Sequence, residues 1–291
     1  LTHRRALLAM LVVTLLWSTA GVVSRQLEAA RGFEVTFWRS LFTALSLAPY
    51  LLWRHGRRVG QVLRDGGWPL VVSGLMWCVM FTCFMLALTL TTVANVLITM
   101  SLAPLFTAVL ARGLLGHRVL PRTWVAIVLA GAGIAWMYGH NLSADPRALV
   151  GSLVALGVPC ASATNWIVLQ RSGARVDLVP ALLLGAALSA GLCLPAALPL
   201  QAPYHDVAWL AGLGIFQLAV PCVLAVHAAR ALPAPEIALL ALLEIVFGIA
   251  WAWLGAGERP DAQVLAGGGL VLLTLAVNEW IGLRRTRDDP A

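Results

Sequence analysis

The sequence predicts an all-α integral membrane protein, with ten transmembrane helices in two inverted five-helix repeats and both termini cytoplasmic. Three observations predict it. The chain of 291 residues is 60% hydrophobic and 11% charged, with a mean hydropathy of +0.86, which leaves too few polar residues to cover a soluble domain of this length. Apolar runs of roughly 20 residues, enough to cross a hydrocarbon core of about 30 Å as helix, follow one another with little polar sequence between them. Residues 102 to 118, from Leu102-Ala103-Pro104-Leu105-Phe106 to Gly116-His117-Arg118, echo 141 positions later, from Leu243-Glu244-Ile245-Val246-Phe247 to Gly257-Glu258-Arg259.

Taken in order, the expected spans run over 6 to 27, 35 to 53, 68 to 88, 93 to 113, 122 to 139, 148 to 170, 178 to 198, 207 to 230, 236 to 255 and 262 to 283. The 141-residue offset keeps Leu102 with Leu243, Phe106 with Phe247, Ala111 with Ala252 and Ala135 with Ala276. Five spans per half is an odd number, so the second half enters the membrane from the opposite side. Such halves are inverted repeats, and their interface near the midplane is where a substrate site is expected. The short loop His140-Asn141-Leu142-Ser143-Ala144-Asp145-Pro146 separates repeat one (1–141) from repeat two (146–285) within one domain, 1–291.

Every basic residue counted in the charge balance is arginine, and fifteen fall at ends that share one side: Arg4, Arg5, Arg54, Arg57, Arg58, Arg64, Arg112, Arg118, Arg122, Arg171, Arg175, Arg230, Arg284, Arg285 and Arg287. Arg25, Arg31, Arg39, Arg147 and Arg259 fall on the other. The asymmetry orients the bundle by the positive-inside rule. The net charge of +7 is therefore read as topology and contact with lipid headgroups, not as a nucleic-acid surface. The first apolar run, with Trp17 inside it, is expected to be an uncleaved helix and not a signal peptide. Trp53, Trp68, Trp124, Trp136, Trp209, Trp251, Trp253 and Trp280 lie toward span ends, as interfacial anchors do. The five cysteines (Cys78, Cys83, Cys160, Cys193, Cys222) form no CxxC and are read as small core residues, with neither disulfide nor metal site. Gly131-Ala132-Gly133 and Gly267-Gly268-Gly269 mark close helix packing, against each other or against a second protomer in a homodimer.

Trp17-Ser18, Phe37-Trp38-Arg39, Leu102-Ala103-Pro104-Leu105-Phe106 and the paired turns at Gly116 and Gly257 give the whole chain a pattern that resembles the EamA-type transporters of the drug/metabolite transporter superfamily. Within that group it is most similar to the YddG-type amino-acid exporters. The resemblance implies ten helices in two inverted repeats, and outward movement of small metabolites or drugs. The chain departs from the family pattern twice: the usual acid after the turn glycine is His117 in the first repeat, and the usual proline of the ninth helix is Ile245, preceded by Glu244.

Glu244 is the sharpest candidate for a substrate or proton site, because an ionised acid in mid-span costs at least ~2.5 to 3.5 kcal/mol unless protein, water or ligand compensates it. The alternative role is an acid that ties helices together. His227, near Gln217, Pro221 and Arg230, could titrate in a cavity or could sit at a helix end. Pro221 removes one backbone bond and predicts a kink. Arg39 and Arg25, close to the outer ends of their helices, are expected to snorkel or pair. Met76, Trp77, Met80 and Phe84 form a stripe that suits either packing or an adaptable substrate wall. Trp17, Asn95, Thr99, Ser101, Asn165 and Trp166 add aromatic faces and hydrogen-bonding groups, or interhelical glue.

The reading is an inner-membrane secondary transporter that exports small metabolites, amino acids with bulky or aromatic side chains foremost, by alternating access. It needs no cofactor and no catalytic residue. With no lysine and no GxxxxGK[ST], ATP-driven transport by this chain is not expected. Alternatives are a nucleotide-sugar, sugar-phosphate or drug carrier of the same superfamily, and more remotely an intramembrane lipid-modifying enzyme, for which the dispersed histidines speak poorly. A structural scaffold would not explain the repeat with central polar residues.

Overall fold

The computed structural model describes residues 3–115, 121–139, 146–172, 177–228, 232 and 234–288. The turn at 116–118 and Arg230 lie outside the described residues. The described elements are helical: α1 (His3–Ser24), α2 (Gly32–His55), α3 (Val59–Asp65), α4 (Gly67–Leu90), α5 (Val93–Met100), α6 (Ala103–Leu115), α7 (Pro121–Gly139), α8 (Pro146–Ala155), α9 (Gly157–Ser172), α10 (Val179–Ala197), α11 (Tyr204–Gly212), α12 (Val220–Ala228), α13 (Ala234–Ala256) and α14 (Ala262–Asp288). Six stretches are long and apolar enough to cross a membrane: His3–Ser24, Gly67–Leu90, Val93–Leu110, Pro146–Asn165, Val179–Ala197 and Tyr204–Ala228. Shorter apolar stretches occupy Trp124–Gly133, Leu240–Ala256 and Ala262–Asn278.

Three expected spans are interrupted, each beside a proline. The run 93 to 113 breaks between α5 and α6, where Pro104 has no N–H to donate. The chain turns tightly there, with Leu102 N–H donating to Thr99 at 3.3 Å and Leu105 N–H to Leu102 at 2.9 Å. The run 148 to 170 breaks at Leu156, four residues after Ser152 and three before Pro159. In the run 207 to 230, α11 passes into a π-helical stretch, Leu213–Ala219, before α12. Pro221 would place its ring against the Gln217 carbonyl in a regular helix, and the widened turn relieves that clash. The kink expected at Pro221 is thus a π segment just upstream of it.

The helices pack as pairs: α2 on α10, α4 on α10, α7 on α14, α1 on α13, α9 on α4 and α6, and the π segment on α2. Small side chains set these distances. Of the expected close-packing glycines, Gly133 lies against Gly267, where an added Cβ would be 2.8 Å from the carbonyl oxygen, so α7 and α14 meet each other. Hydroxyls join helices where side chains are small: Ser189 of α10 is 2.9 Å from both Ser40 of α2 and Thr82 of α4. All eight expected tryptophan anchors are exposed, from 41% at Trp209 and Trp251 to 83% at Trp53, as a lipid-facing belt requires. Cys78, Cys193 and Cys222 are buried and Cys83 is half-buried, whereas Cys160, expected in the core, is exposed.

At the end of the bundle holding the α1–α2 connection, Asp206 is fully buried and accepts backbone N–H groups from Glu28, Ala29 and Ala30 at 3.0, 2.9 and 2.8 Å. Glu34 does the same for Gln201 and Ala202, each at 2.8 Å, so it serves the α10–α11 connection rather than pairing with Arg39. Gly257, in the one paired turn that is described, has φ of +67°, where a side chain would strain the backbone.

Two outcomes are expected. Asp206→Asn leaves at least one of the three N–H groups that Asp206 accepts without its acceptor and should lower stability by about 1–3 kcal/mol, seen as a lower unfolding midpoint in detergent. Gly214, whose added Cβ would stand 2.6 Å from the Arg39 carbonyl and 3.0 Å from the Thr43 nitrogen, lies directly on the α2 backbone, while Gly212 has open space. Gly214→Ala should cost about 1–3 kcal/mol through overpacking, whereas Gly212→Ala should change stability by less than about 0.5 kcal/mol.

Candidate substrate-binding site

Charged groups at the two ends of the bundle satisfy one another. Arg25 Nε meets Glu258 Oε2 at 2.7 Å, and its Nη1 and Nη2 donate to the carbonyls of Leu88 and Thr91 at 2.7 and 2.8 Å. Glu258 also accepts the Val93 N–H at 2.6 Å. At the other end, Asp177 lies 3.5 Å from Arg54 and 3.4 Å from His55. His227 belongs to this second group, with Nε2 3.2 Å from Arg54 Nη1 and Nδ1 2.7 Å from the Val223 carbonyl. Arginine can only donate, so Nε2 accepts and Nδ1 carries the hydrogen that Val223 receives. This is a helix-end arrangement, the alternative weighed for His227 from the sequence.

Between the ends the situation differs. Arg39 of α2 is only 1% exposed; it does not snorkel, and no carboxylate among the described residues contacts it, which corrects the expectation drawn from its place near a helix end. Its Nε and Nη2 both donate to Oε1 of Gln217, at 3.2 and 2.8 Å, and Gln217 is held in turn by donating to the Trp17 carbonyl at 3.1 Å. The Phe84 ring centre lies 5.6 Å from the guanidinium carbon. The sequence builds this locally: the π turn before Pro221 carries Gln217, and Gly214 lets that turn lie on the backbone of α2. The Thr43 hydroxyl fixes the contact by donating to the Gly214 carbonyl at 3.0 Å. A cation at such depth costs on the order of 2.5–3.5 kcal/mol, and a neutral amide with an aromatic face recovers part of this.

Glu244 of α13 is within Coulomb reach of both Arg39 and Cys222. Those two residues are 1% and 3% exposed, so the carboxyl group faces the bundle interior. Glu244 itself keeps accessible surface. No ion pair between Glu244 and Arg39 occurs among the described residues, and the Arg39 donors are taken by Gln217.

The other sequence candidates divide. Trp17 and Phe84 join the central group through Gln217 and Arg39. Trp17 and Trp77 are both half-buried against one apolar cluster, and the Trp77 ring centre is 5.4 Å from that of Phe81. Met76 and Met80 are half-buried on α4, Met80 against the largest apolar cluster. Thr99 and Ser101 are buried, and their hydroxyls donate to the carbonyls of Asn95 and Ile98 at 2.7 and 2.6 Å. Asn95 is buried and donates to Thr91 at 3.1 Å. These three therefore brace α5 and the break after it. Asn165 is buried on α9, and the Trp166 side chain lies outside the described residues. The sequence reading missed Arg39 and Gln217 as a pair; the available signal was a charged residue and an amide, each inside an apolar run, the amide one turn before a proline.

The EamA-like transporter family matches residues 4–139 and 149–279. Among curated proteins, the chain is similar to the pseudopaline exporter CntI from two Pseudomonas aeruginosa strains, UCBPP-PA14 and PAO1, at 27% and 26% identity over 261 residues. In both, 87% of this chain and 86% of the relative are covered. A solved crystal structure superposes with a TM-score of 0.66 at 19% identity, covering 97% of this chain and 99% of its own, a likeness of fold alone. The apolar helices, the interior polar group and the match over nearly the whole chain agree: this chain belongs to the EamA-like transporter family and is a multi-pass transporter of the bacterial inner membrane.

Proposed function

We propose that the chain exports small amphipathic metabolites, foremost amino acids with bulky or aromatic side chains, by alternating access between two inverted repeats of five spans each, 1–141 and 146–285. The observation that carries the reading is Glu244, an acid of α13 that keeps accessible surface and lies within Coulomb reach of the buried Arg39, on a helix that packs against α1. A substrate ammonium is the natural partner of that carboxylate, and Trp17, Trp77 and Met80 supply adaptable apolar surface for a variable side chain.

Helix pairing supports the inverted duplication. The first span packs on the ninth (α1 on α13) as the sixth does on the fourth (α9 on α6). The third packs on the seventh (α4 on α10) as the eighth does on the second (the π segment on α2). The second pairs with the seventh and the fifth with the tenth, each with its own counterpart. The family match in two stretches of similar length points the same way. Similarity to the two pseudopaline exporters favours a second reading, export of a metabolite of that kind. The driving force is the substrate gradient alone or proton exchange. Of the two proton candidates, Glu244 is favoured over His227, whose ring nitrogens are both engaged at a helix end. Arg39 and Cys222 lie within Coulomb reach of Glu244.

The test is uptake of radiolabelled amino acids by proteoliposomes carrying the purified chain or Glu244→Gln, with and without a pH gradient, and with pseudopaline as a competing ligand. Saturable uptake is expected for the unmodified chain. Losing one charge-assisted contact of about 1.5–3 kcal/mol should weaken apparent affinity roughly tenfold or more in Glu244→Gln, and abolish any response to the pH gradient. No uptake above empty liposomes by folded protein would sink the amino-acid reading, and competition by pseudopaline alone would replace it with the second.

A further inference from the structure

Arg39 is held by a residue that orients it without neutralising it. Gln217 takes up Nε and Nη2, and the Phe84 ring lies 5.6 Å from the guanidinium carbon. Nη1 has no hydrogen-bond partner among the described residues and is closed off from solvent in this conformation. A cation kept only for stability would be expected to meet a carboxylate here, because an amide brings no charge and leaves the guanidinium's positive charge intact. The residue is 1% exposed, so its conformation is fixed by packing. An oriented, charged guanidinium with one donor arm left over is a receptor for a planar anion, since it presents donors in a rigid fork that matches a carboxylate. Glu244, within Coulomb reach but not in contact, supplies the opposite charge.

We propose that Arg39 is the receptor for the substrate's carboxylate, through its Nη1 arm, and that with Glu244 it makes the site selective for zwitterions carrying an ammonium and a carboxylate. The proposal rests on the amino-acid reading above and specifies which end of the substrate each residue takes. The carboxylate reaches Nη1 when the bundle opens during the transport cycle. Gln217 is the positioning residue, and Phe84 covers the cation between turnovers.

The test is uptake of radiolabelled phenylalanine into proteoliposomes, with competition by unlabelled phenylalanine, phenylalanine amide (which lacks the carboxylate) and 3-phenylpropionate (which lacks the ammonium). The unmodified chain should prefer phenylalanine to the amide at least tenfold. Arg39→Gln should lose that preference while keeping its affinity for the amide, and Arg39→Lys should regain part of it. Gln217→Glu offers a second route that does not depend on removing the buried cation. It is isosteric and pairs with Arg39 through Nε and Nη2, cancelling the net positive charge that Nη1 presents without occupying that arm, so the preference for phenylalanine should vanish in a protein that remains folded by gel filtration. The proposal is overturned if the amide competes as well as phenylalanine on the unmodified chain, or if Gln217→Glu retains the tenfold preference. The amino-acid reading survives either result, whereas absence of phenylalanine uptake by the unmodified chain overturns both.

Discussion

A polar group inside the hydrocarbon layer has only protein to bond to, and the placement of nearly every polar residue in this chain follows from that constraint. Thr14, Ser18, Thr19 and Ser24 of α1 all return their hydroxyls to carbonyls one turn earlier, at 2.7 to 2.9 Å. Thr99 and Ser101 do the same around the break between α5 and α6. Asp206 and Glu34 spend their carboxylates on backbone N–H groups of connections, and Arg25 saturates itself on Glu258 and two carbonyls. Against this background of satisfied groups, Arg39 and Glu244 stand apart: both are interior, and neither has a charged partner in direct contact among the described residues.

The interruptions of the helices serve the same end. Each proline that breaks a span frees backbone carbonyls, and the chain re-bonds them through tight turns or through a widened π turn. The π turn before Pro221 shifts Gln217 onto the face that meets α2. Gly214 then lets the turn come close enough for an amide oxygen to reach two guanidinium nitrogens. Sequence punctuation that reads as a simple kink thus becomes the element that orients a buried cation. Nearby, the linked hydroxyls of Ser40, Ser189 and Thr82 hold α2, α10 and α4 together, so the guanidinium is presented from a rigid frame.

Transport by a bundle of this kind needs packed surfaces that can exchange partners without exposing backbone to lipid. Gly133 against Gly267 and Gly214 against α2 are contacts of backbone on small side chains, which fix distance with few directional bonds. The ionic groups at the two ends, Arg25 with Glu258 and Arg54 with Asp177 and His227, tie together different helices on opposite sides of the central group.

The sequence by itself determined the class of solvent and the helical content, because a hydrophobic run of the right length has one solution in lipid and each run carries its own evidence. It also located the anchors, since a tryptophan near the end of a run needs no partner from elsewhere in the chain, and it marked Glu244 as an acid in a costly place. It could not locate the breaks at Leu102 and Leu156 within runs that stay apolar throughout, nor the exposure of Cys160, which depends on which way a helix is turned. Only the tertiary structure decided that His227 joins Arg54 at a helix end and that Arg39 joins Gln217 in the interior. The partners in those contacts are 173 and 178 positions apart, and whether a charge near the end of a helix reaches water or turns inward is settled by what the neighbouring helices bring to meet it.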